Sequence, residues 1–517
     1  MEPGSKNIVI CSDGTGNTTV KGRGTNVFKL FESVDVNRHR TDARLPQQLA
    51  FYDDGVGTEA LKWVRIFGGA TGWGLSRNVR QLYRELCRVY EPGDAIFLFG
   101  FSRGAFTVRT LAGLINDCGL VDPRAHATED SFRAQTRAAY AAYRCKYRAW
   151  LTRAAWRGGI NADEFKRTIA RPDVPPVPIR LLGVWDTVDA VGLPFRLADA
   201  WNKVVWQYKF ETSTLGAVVA RGCHALALDD ERGAFGPVLW DERDPSTRAR
   251  VEQVWFAGAH SNVGGGYPQQ GMSLVALDWM MTQAEAAGLR FVAHTRDQYA
   301  TAHSFADKLY DPRSGLGIFY RWQPRDVKAL CERKGIAHPQ VHMSAIERLV
   351  QAPEGYAPGN IPARIRVTTT EGHPRVRLEE IERCIADAHG GDEAEPLIRR
   401  KHRWVFVGFV AYVTFIAAAV AALLRVLAVI IVPPGDGLRP FLESLGRVVD
   451  PFEIAGTLWR DRVAFWLLVS GLAIGYVLSW WSDRQTGRFF SGFWHRHRPA
   501  LREALRRTPA PDMDLRT

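Results

Sequence analysis

Short apolar runs that each end in a polar or glycine-rich loop recur through residues 6 to about 360, alternating with helical stretches. That rhythm predicts an α/β domain with a mostly parallel sheet. The runs are Asn7 to Cys11, Gln48 to Tyr52, Ala95 to Phe99, Ile179 to Trp185 and Gln253 to Ala257. Asp13-Gly14-Thr15-Gly16-Asn17 follows the first and Asp53-Asp54-Gly55-Val56-Gly57 the second. Asp186-Thr187-Val188-Asp189 follows the fourth, and His260 with Gly264-Gly265-Gly266 follows the fifth. Ligands of open α/β sheets bind outside the carboxyl ends of the strands, so these loops predict one composite site. Residues 122–178 break the rhythm with an Arg- and Ala-rich helical stretch carrying Tyr140, Tyr143, Tyr147 and Trp150. It reads either as a cap over the site or as a solvated arm.

The third run continues as Gly93-Asp94-Ala95-Ile96-Phe97-Leu98-Phe99-Gly100-Phe101-Ser102-Arg103-Gly104-Ala105-Phe106. Gly100 and Gly104 flank Ser102 in a G-x-S-x-G arrangement between a buried strand and a helix expected from Phe106 to Ile115. In such an elbow the serine takes a strained conformation and its hydroxyl projects from the sheet edge. Ser102 is the candidate nucleophile. A serine hydroxyl needs a base within hydrogen-bond reach and a carboxylate to orient that base. Asp186 and His260 follow in the order Ser, Asp, His, each just after an expected strand. Asp189 is the reserve carboxylate, and His224 is a competitor expected to be structural. The backbone N–H groups of Arg103, Gly14 and Thr15 are candidate oxyanion donors, a contribution of about 3 kcal/mol each. Asp13 would repel an oxyanion, so it is expected to hold its loop by accepting from Thr15 or Gly16.

Two later segments follow a different pattern. Trp404 to Leu424 carries no charge, and Arg425 is followed by the apolar run Val426 to Val432; Val463 to Trp481 is a second uncharged stretch. Each is long enough at ~1.5 Å per residue to cross a hydrocarbon layer of ~30 Å. Trp404, Trp480 and Trp481 stand where interfacial aromatics belong, and Arg425 is expected to snorkel toward headgroups. Arg399, Arg400, Lys401 and Arg403 precede the first stretch, and Arg484 to Arg507 supplies seven arginines after the second. This bias places both ends on the cytosolic side of a bacterial inner membrane. The expected division is therefore a catalytic domain over 1–360, a charged connector over 361–403, spans over about 404–432 and 463–481, and a basic tail over 483–517.

Composition narrows the rest. At 517 residues and 46% hydrophobic content the chain is neither disordered nor short of a core. Its net charge of +12 is concentrated beside the apolar segments, which favours a membrane surface over nucleic acid. The seven cysteines form no C-x-x-C pair and no His/Cys cluster, so neither a metal nor another cofactor is expected. Gly68 to Gly74 lacks the lysine of a Walker loop. No secretory signal is visible at the N-terminus.

Seven ordered blocks, among them KNIVICSDGTGNT, YDDGVGT, GFSRGAF, GVWDTV, CHALALDDERGAFGPVLW and VWFAGAHSNVGGGY, resemble a family of bacterial and fungal α/β-hydrolases. Its characterised members are type VI secretion phospholipase effectors of the Tle-like kind. The resemblance spans residues 6 to about 360. It implies a Ser-Asp-His hydrolase of ester bonds, with the roles falling on Ser102, Asp186 and His260. It departs at Asn262, where the family often has aspartate, and this is expected to touch loop geometry more than catalysis. The expectation is a membrane-anchored serine esterase or lipase acting on a lipid or other ester. The rivals are a non-catalytic scaffold or sensor of the same fold and a secreted antibacterial effector.

Overall fold

The computed structural model describes residues 5–14, 24–54, 73–146, 161–168, 178–188, 214–314, 320–370, 375–390, 395–431 and 451–507. Its centre is an eight-stranded sheet of order β2-β1-β3-β4-β5-β6-β7-β8. The strands are β1 (Asn7–Ser12), β2 (Gln48–Asp53), β3 (Ala95–Phe101), β4 (Ile179–Trp185), β5 (Gly222–Ala227), β6 (Val251–Phe256), β7 (Gln340–His342) and β8 (Arg366–Thr368). Every neighbouring pair is parallel. Parallel strands are covered on both faces, which is why β1 and β3 are buried along their whole length. The order reverses direction at β1, between β2 and β3, and the crevice at such a switch point is where ligands of open sheets bind.

One face carries α1 (Asn26–Ser33) and the other α2 (Trp73–Val89), α3 (Arg103–Cys118), α4 (Glu129–Cys145) and α5 (Ala162–Thr168). Alternation along β3 sends Ile96 and Leu98 to the second face and Phe97 and Phe99 to the first. The described part of the 122–178 insertion does not form a cap. Phe132, Tyr140 and Tyr143 of α4 are buried in the core shared with α2 and α3, and a side chain on Gly113 of α3 would collide with Tyr143. Tyr147 and Trp150 lie outside the described residues.

The fold runs further along the chain than expected. β5 escaped the sequence reading because Gly222-Cys223-His224-Ala225-Leu226-Ala227 has none of the β-branched or aromatic residues that mark strands. Beyond residue 360, β8 extends the sheet, and α9 (Arg375–Ala388) buries Leu378, Ile381 and Ile385, three positions on one helical face. The other helices used below are α6 (His260–Gly264), α7 (Gly271–Ala286), α8 (Met343–Gln351), α10 (Glu395–Ile431), α11 (Pro451–Arg460) and α12 (Arg462–Arg507). The described residues of the expected connector up to Ala388 thus pack with the domain. So do described residues of the expected basic tail: α12 buries Phe490, Phe493, Trp494, Leu501 and Ala504 in the same core. Trp494 Nε1 donates to the Pro358 carbonyl at 2.7 Å, and Arg498 donates to the carbonyls of Leu349 and Tyr356.

α10 and α12 pack against each other as a pair. Gly471 and Gly475 of α12 face Ala418, Ala411 and Phe415 of α10, so small residues let the backbones approach. Both helices are long and apolar enough to cross a membrane, and only 17% of each apolar window is buried within the chain. Trp404 and Trp481 meet edge to face at 4.6 Å at the domain end of the pair. At the far end Arg425 does not extend outward alone. It bonds both oxygens of Asp461, which also accepts from the N–H groups of Val463 and Ala464 and so starts α12.

Candidate active site

Ser102 links the end of β3 to the start of α3 at φ 57°, a left-handed conformation that costs a non-glycine residue of order 1 kcal/mol or more. Neighbouring groups over-determine that turn. Ser102 N–H donates to the Trp185 carbonyl of β4, and a Cβ on Gly100 would lie 2.6 Å from the Gly104 carbonyl. A Cβ on Gly104 would lie 2.1 Å from the Ser12 carbonyl, so glycine here brings the β1 loop against the serine turn. The helix begins at Arg103, three residues before the expected start, which puts the Arg103 N–H at the unpaired positive end of α3. Burial pushes the Arg103 guanidinium down to about 10.

Asp186 follows β4 and is also left-handed, at φ 38°. Its N–H donates to Ala225 and its Oδ1 accepts from Ala227, so β5 fixes its backbone and its side chain. His260 opens α6 after β6, and its Nδ1 lies 2.6 Å from Asp186 Oδ2. In the tautomer that donates from Nδ1, Nε2 is left as a proton acceptor. The imidazole lies between Phe101, 4.6 Å away and next to Ser102 in sequence, and the edge of Phe235 at 5.2 Å. Burial holds His260 below its ordinary value, against the opposing pull of Asp186. Burial alone would raise the Asp186 carboxyl, but Arg325 and the His260 hydrogen bond outweigh it and hold it well below the carboxylate range. Ser102 Oγ makes no hydrogen bond among the described residues, the His260 ring included.

The other expected residues fall around this group. Asp13 Oδ1 accepts the Gly14 N–H at 2.6 Å and its Oδ2 accepts from Thr25 and Tyr52 hydroxyls, while the expected partners Thr15 and Gly16 lie outside the described residues. The Gly14 N–H is therefore directed at a carboxylate rather than at an oxyanion. The reserve Asp189 also lies outside the described residues. His224 Nε2 accepts the Thr187 N–H at 3.1 Å, and burial, then the nearby Arg109, push it down to about 3. It stays neutral and steadies the turn after Asp186. Asn262 uses both halves of its amide, accepting from Ala259 N–H and donating to the Lys308 carbonyl. An aspartate could do only the first.

Three supports were missed by sequence reasoning. Asp230 accepts the His260 N–H and pairs with Arg232, whose guanidinium covers the Phe235 ring. Asp229 accepts the Gly258 N–H and the Tyr356 hydroxyl. Arg325, buried, bonds both oxygens of Asp186. The acidic pair closing CHALALDD was a visible signal, since carboxylates just past a strand commonly tie down neighbouring loops. Nothing local marks Arg325. Among the described residues no group of three or more His, Cys, Asp or Glu side chains could hold a metal ion. The described geometry therefore comprises a buried His260–Asp186 pair and, at the end of β3, a serine on a strained turn.

The chain is similar to several known proteins. The family described as "T6SS, Phospholipase effector Tle1-like, catalytic domain" matches residues 6–283. An uncharacterized protein of Saccharomyces cerevisiae is 28% identical over 244 residues, covering 44% of this chain. The match spans about a third of that yeast protein's length, 32%. A crystal structure of an uncharacterized protein from Pseudomonas aeruginosa is similar at 16% identity and TM-score 0.35, over 91% of this chain and 67% of the other. The structure of the Tle1 effector bound to the VgrG spike of the type 6 secretion system is similar at 14% identity and TM-score 0.34, over 65% and 84%.

Proposed function

Because the chain belongs to the family of Tle1-like phospholipase effector catalytic domains, we propose that it is a serine hydrolase cleaving carboxylic esters of membrane lipids. Ser102 Oγ attacks the ester carbonyl while His260 Nε2 takes its proton, and Asp186 holds the imidazole by its Nδ1–H. The developing oxyanion is received by the Arg103 N–H at the start of α3 and by the β1 loop, with Thr15 the remaining candidate. His260 then protonates the leaving alcohol, and water releases the acyl group from Ser102 by the same steps in reverse. The observation that carries the reading is the 2.6 Å contact of His260 with Asp186 beside the strained serine turn.

The hairpin of α10 and α12 tethers this domain to a bilayer, with the domain and both ends on the cytosolic side. The tryptophan pair and the Arg425–Asp461 pair support it: Trp404 and Arg425 are about 21 residues apart on one helix, or ~31 Å at ~1.5 Å per residue, the thickness of the hydrocarbon layer. The domain end of the pair packs directly beside the site. Trp322 lies against Gly408, Arg321 covers Phe409 at 4.5 Å, and Arg313 donates to Ser479. Two residues before Trp322, Tyr320 stacks edge to face on Phe235, which in turn touches His260. A tether of this kind holds the serine near the lipids of its own leaflet.

The test is hydrolysis by the full-length protein in phosphatidylglycerol/phosphatidylethanolamine vesicles, alongside a water-soluble short-chain ester. Ester and lipid cleavage that both disappear in Ser102→Ala support the reading. Folded protein inert toward both substrates contradicts it.

A further inference from the structure

Arg325 is delivered to Asp186 by a second pairing of chain segments. Gly233 N–H donates to the Arg321 carbonyl and Gln323 N–H to the Glu231 carbonyl, with Arg232 and Trp322 opposite each other. Pro324 follows and restricts the backbone before Arg325. The guanidinium is then held by four acceptors. Nη1 donates to Asp186 Oδ1 at 2.6 Å and to the Ala227 carbonyl at 2.5 Å, and Nη2 donates to Asp186 Oδ2 at 2.8 Å and to the Phe235 carbonyl at 2.7 Å. Ala227 and Phe235 bracket the loop that also carries Asp230. A planar fork meets a carboxylate bidentately in a way an ammonium cannot.

We propose that Arg325 is the positioning residue of the hydrolytic site: it clamps Asp186 in the plane that presents Oδ2 to His260 and neutralises its charge, keeping His260 a weak base. The inference rests on the hydrolase reading above. The charges around the pair make the argument specific. Asp230 and Arg232 face His260 from the loop after β5, but they are bonded to each other and largely cancel. His224 on β5 is neutral, and Arg109 of α3 lies beyond it. Arg103 follows the serine. Asp186 is the carboxylate bonded to the imidazole, and Arg325 is the cation that offsets it. Removing that cation leaves Asp186 free to stabilise the imidazolium, so His260 stays protonated to a higher pH.

The experiment measures kcat/KM for a soluble short-chain ester from pH 5 to 9 with the full-length protein and its Arg325→Lys and Arg325→Met forms. Arg325→Met is expected to lose roughly 10- to 100-fold, the usual cost of an outer hydrogen-bonding partner, and its acid limb to move up by about one pH unit. Arg325→Lys keeps the charge but not the fork, so its acid limb stays in place while kcat falls. A merely structural role would lower activity without moving the limb. The inference is overturned if Arg325→Met keeps the wild-type limb, or if Arg325→Lys keeps the wild-type kcat; the second result decides alone should Arg325→Met not fold. An inert wild type would instead sink the hydrolase reading itself.

Discussion

At the carboxyl rim of the sheet, side chains that could bond to water are buried and bonded to each other. Along the hairpin the reverse holds: Phe406, Leu424, Trp466 and Tyr476 face outward, more than half exposed, while polar groups are few. The rim spends stability on strain at Ser102 and Asp186 and recovers it through neighbours that tolerate only one geometry. In the helix pair small residues at Gly471 and Gly475 let the backbones approach, and the Trp404–Trp481 and Arg425–Asp461 contacts join its two ends. The difference teaches that the polar rim and the apolar helix pair are separable by the way they pack, although they meet where Trp322 touches Gly408, Arg321 covers Phe409, Arg313 donates to Ser479 and Asp483 approaches Glu231.

Separability can be broken from the rim outward. Ser102→Ala should reduce ester hydrolysis by roughly 10⁴-fold or more, since the triad acts as a unit, while the protein stays in the membrane fraction. Asp186→Asn should cost roughly 10³- to 10⁴-fold through the wrong imidazole tautomer. It should also lower thermal stability by about 3 kcal/mol, because Arg325 would be left buried and unpaired; a calorimetric scan reads this directly. Gly471→Leu acts on the other region. Its Cβ would lie 2.4 Å from Ala418, so the helix pair should loosen by about 1–3 kcal/mol in detergent with soluble-ester turnover unchanged.

Two pH effects sharpen the comparison. Activity requires neutral His260, and burial favours that form, so the acid limb of kcat/KM should lie below pH 6.5, the ordinary histidine value. At the junction, burial and then Asp483 push Glu231 up to about 8 from 4.5. The folded state therefore holds a proton that the unfolded chain releases, and stability is lost as pH rises from about 4.5 to 8. Glu231→Gln keeps an acceptor for Trp322 Nε1 without the titration. Its melting temperature should gain on wild type steadily over that interval and level off above it.

Much of the rim was legible because Ser102 and Asp186 each follow directly on a strand and His260 lies a few residues past one, and strand ends are local patterns. The two apolar stretches were legible for the same reason. Arg325 was not, because its partner lies 139 residues away and nothing in Gln323-Pro324-Arg325 distinguishes it from a surface arginine. β5 was hidden by small side chains that suit a strand enclosed by neighbours on both sides. The stretch after residue 360 looked like a connector because its charges outnumber its apolar residues. The spacing of Leu378, Ile381 and Ile385 held the contrary signal, and Trp494 in the supposed tail could be placed only by its tertiary contact with Pro358. Gly14 misled because a carboxylate one residue earlier takes its N–H, a bond that sequence does not distinguish from one to a ligand.

The central claim is that Ser102 is activated through His260 and Asp186. Fluorophosphonate labelling of full-length protein at pH 7.5, followed by peptide mass spectrometry, tests it most directly. The account predicts an adduct on Ser102 that forms rapidly in wild type and is lost in His260→Ala. An adduct elsewhere, or one on Ser102 whose rate is indifferent to His260→Ala, would contradict it.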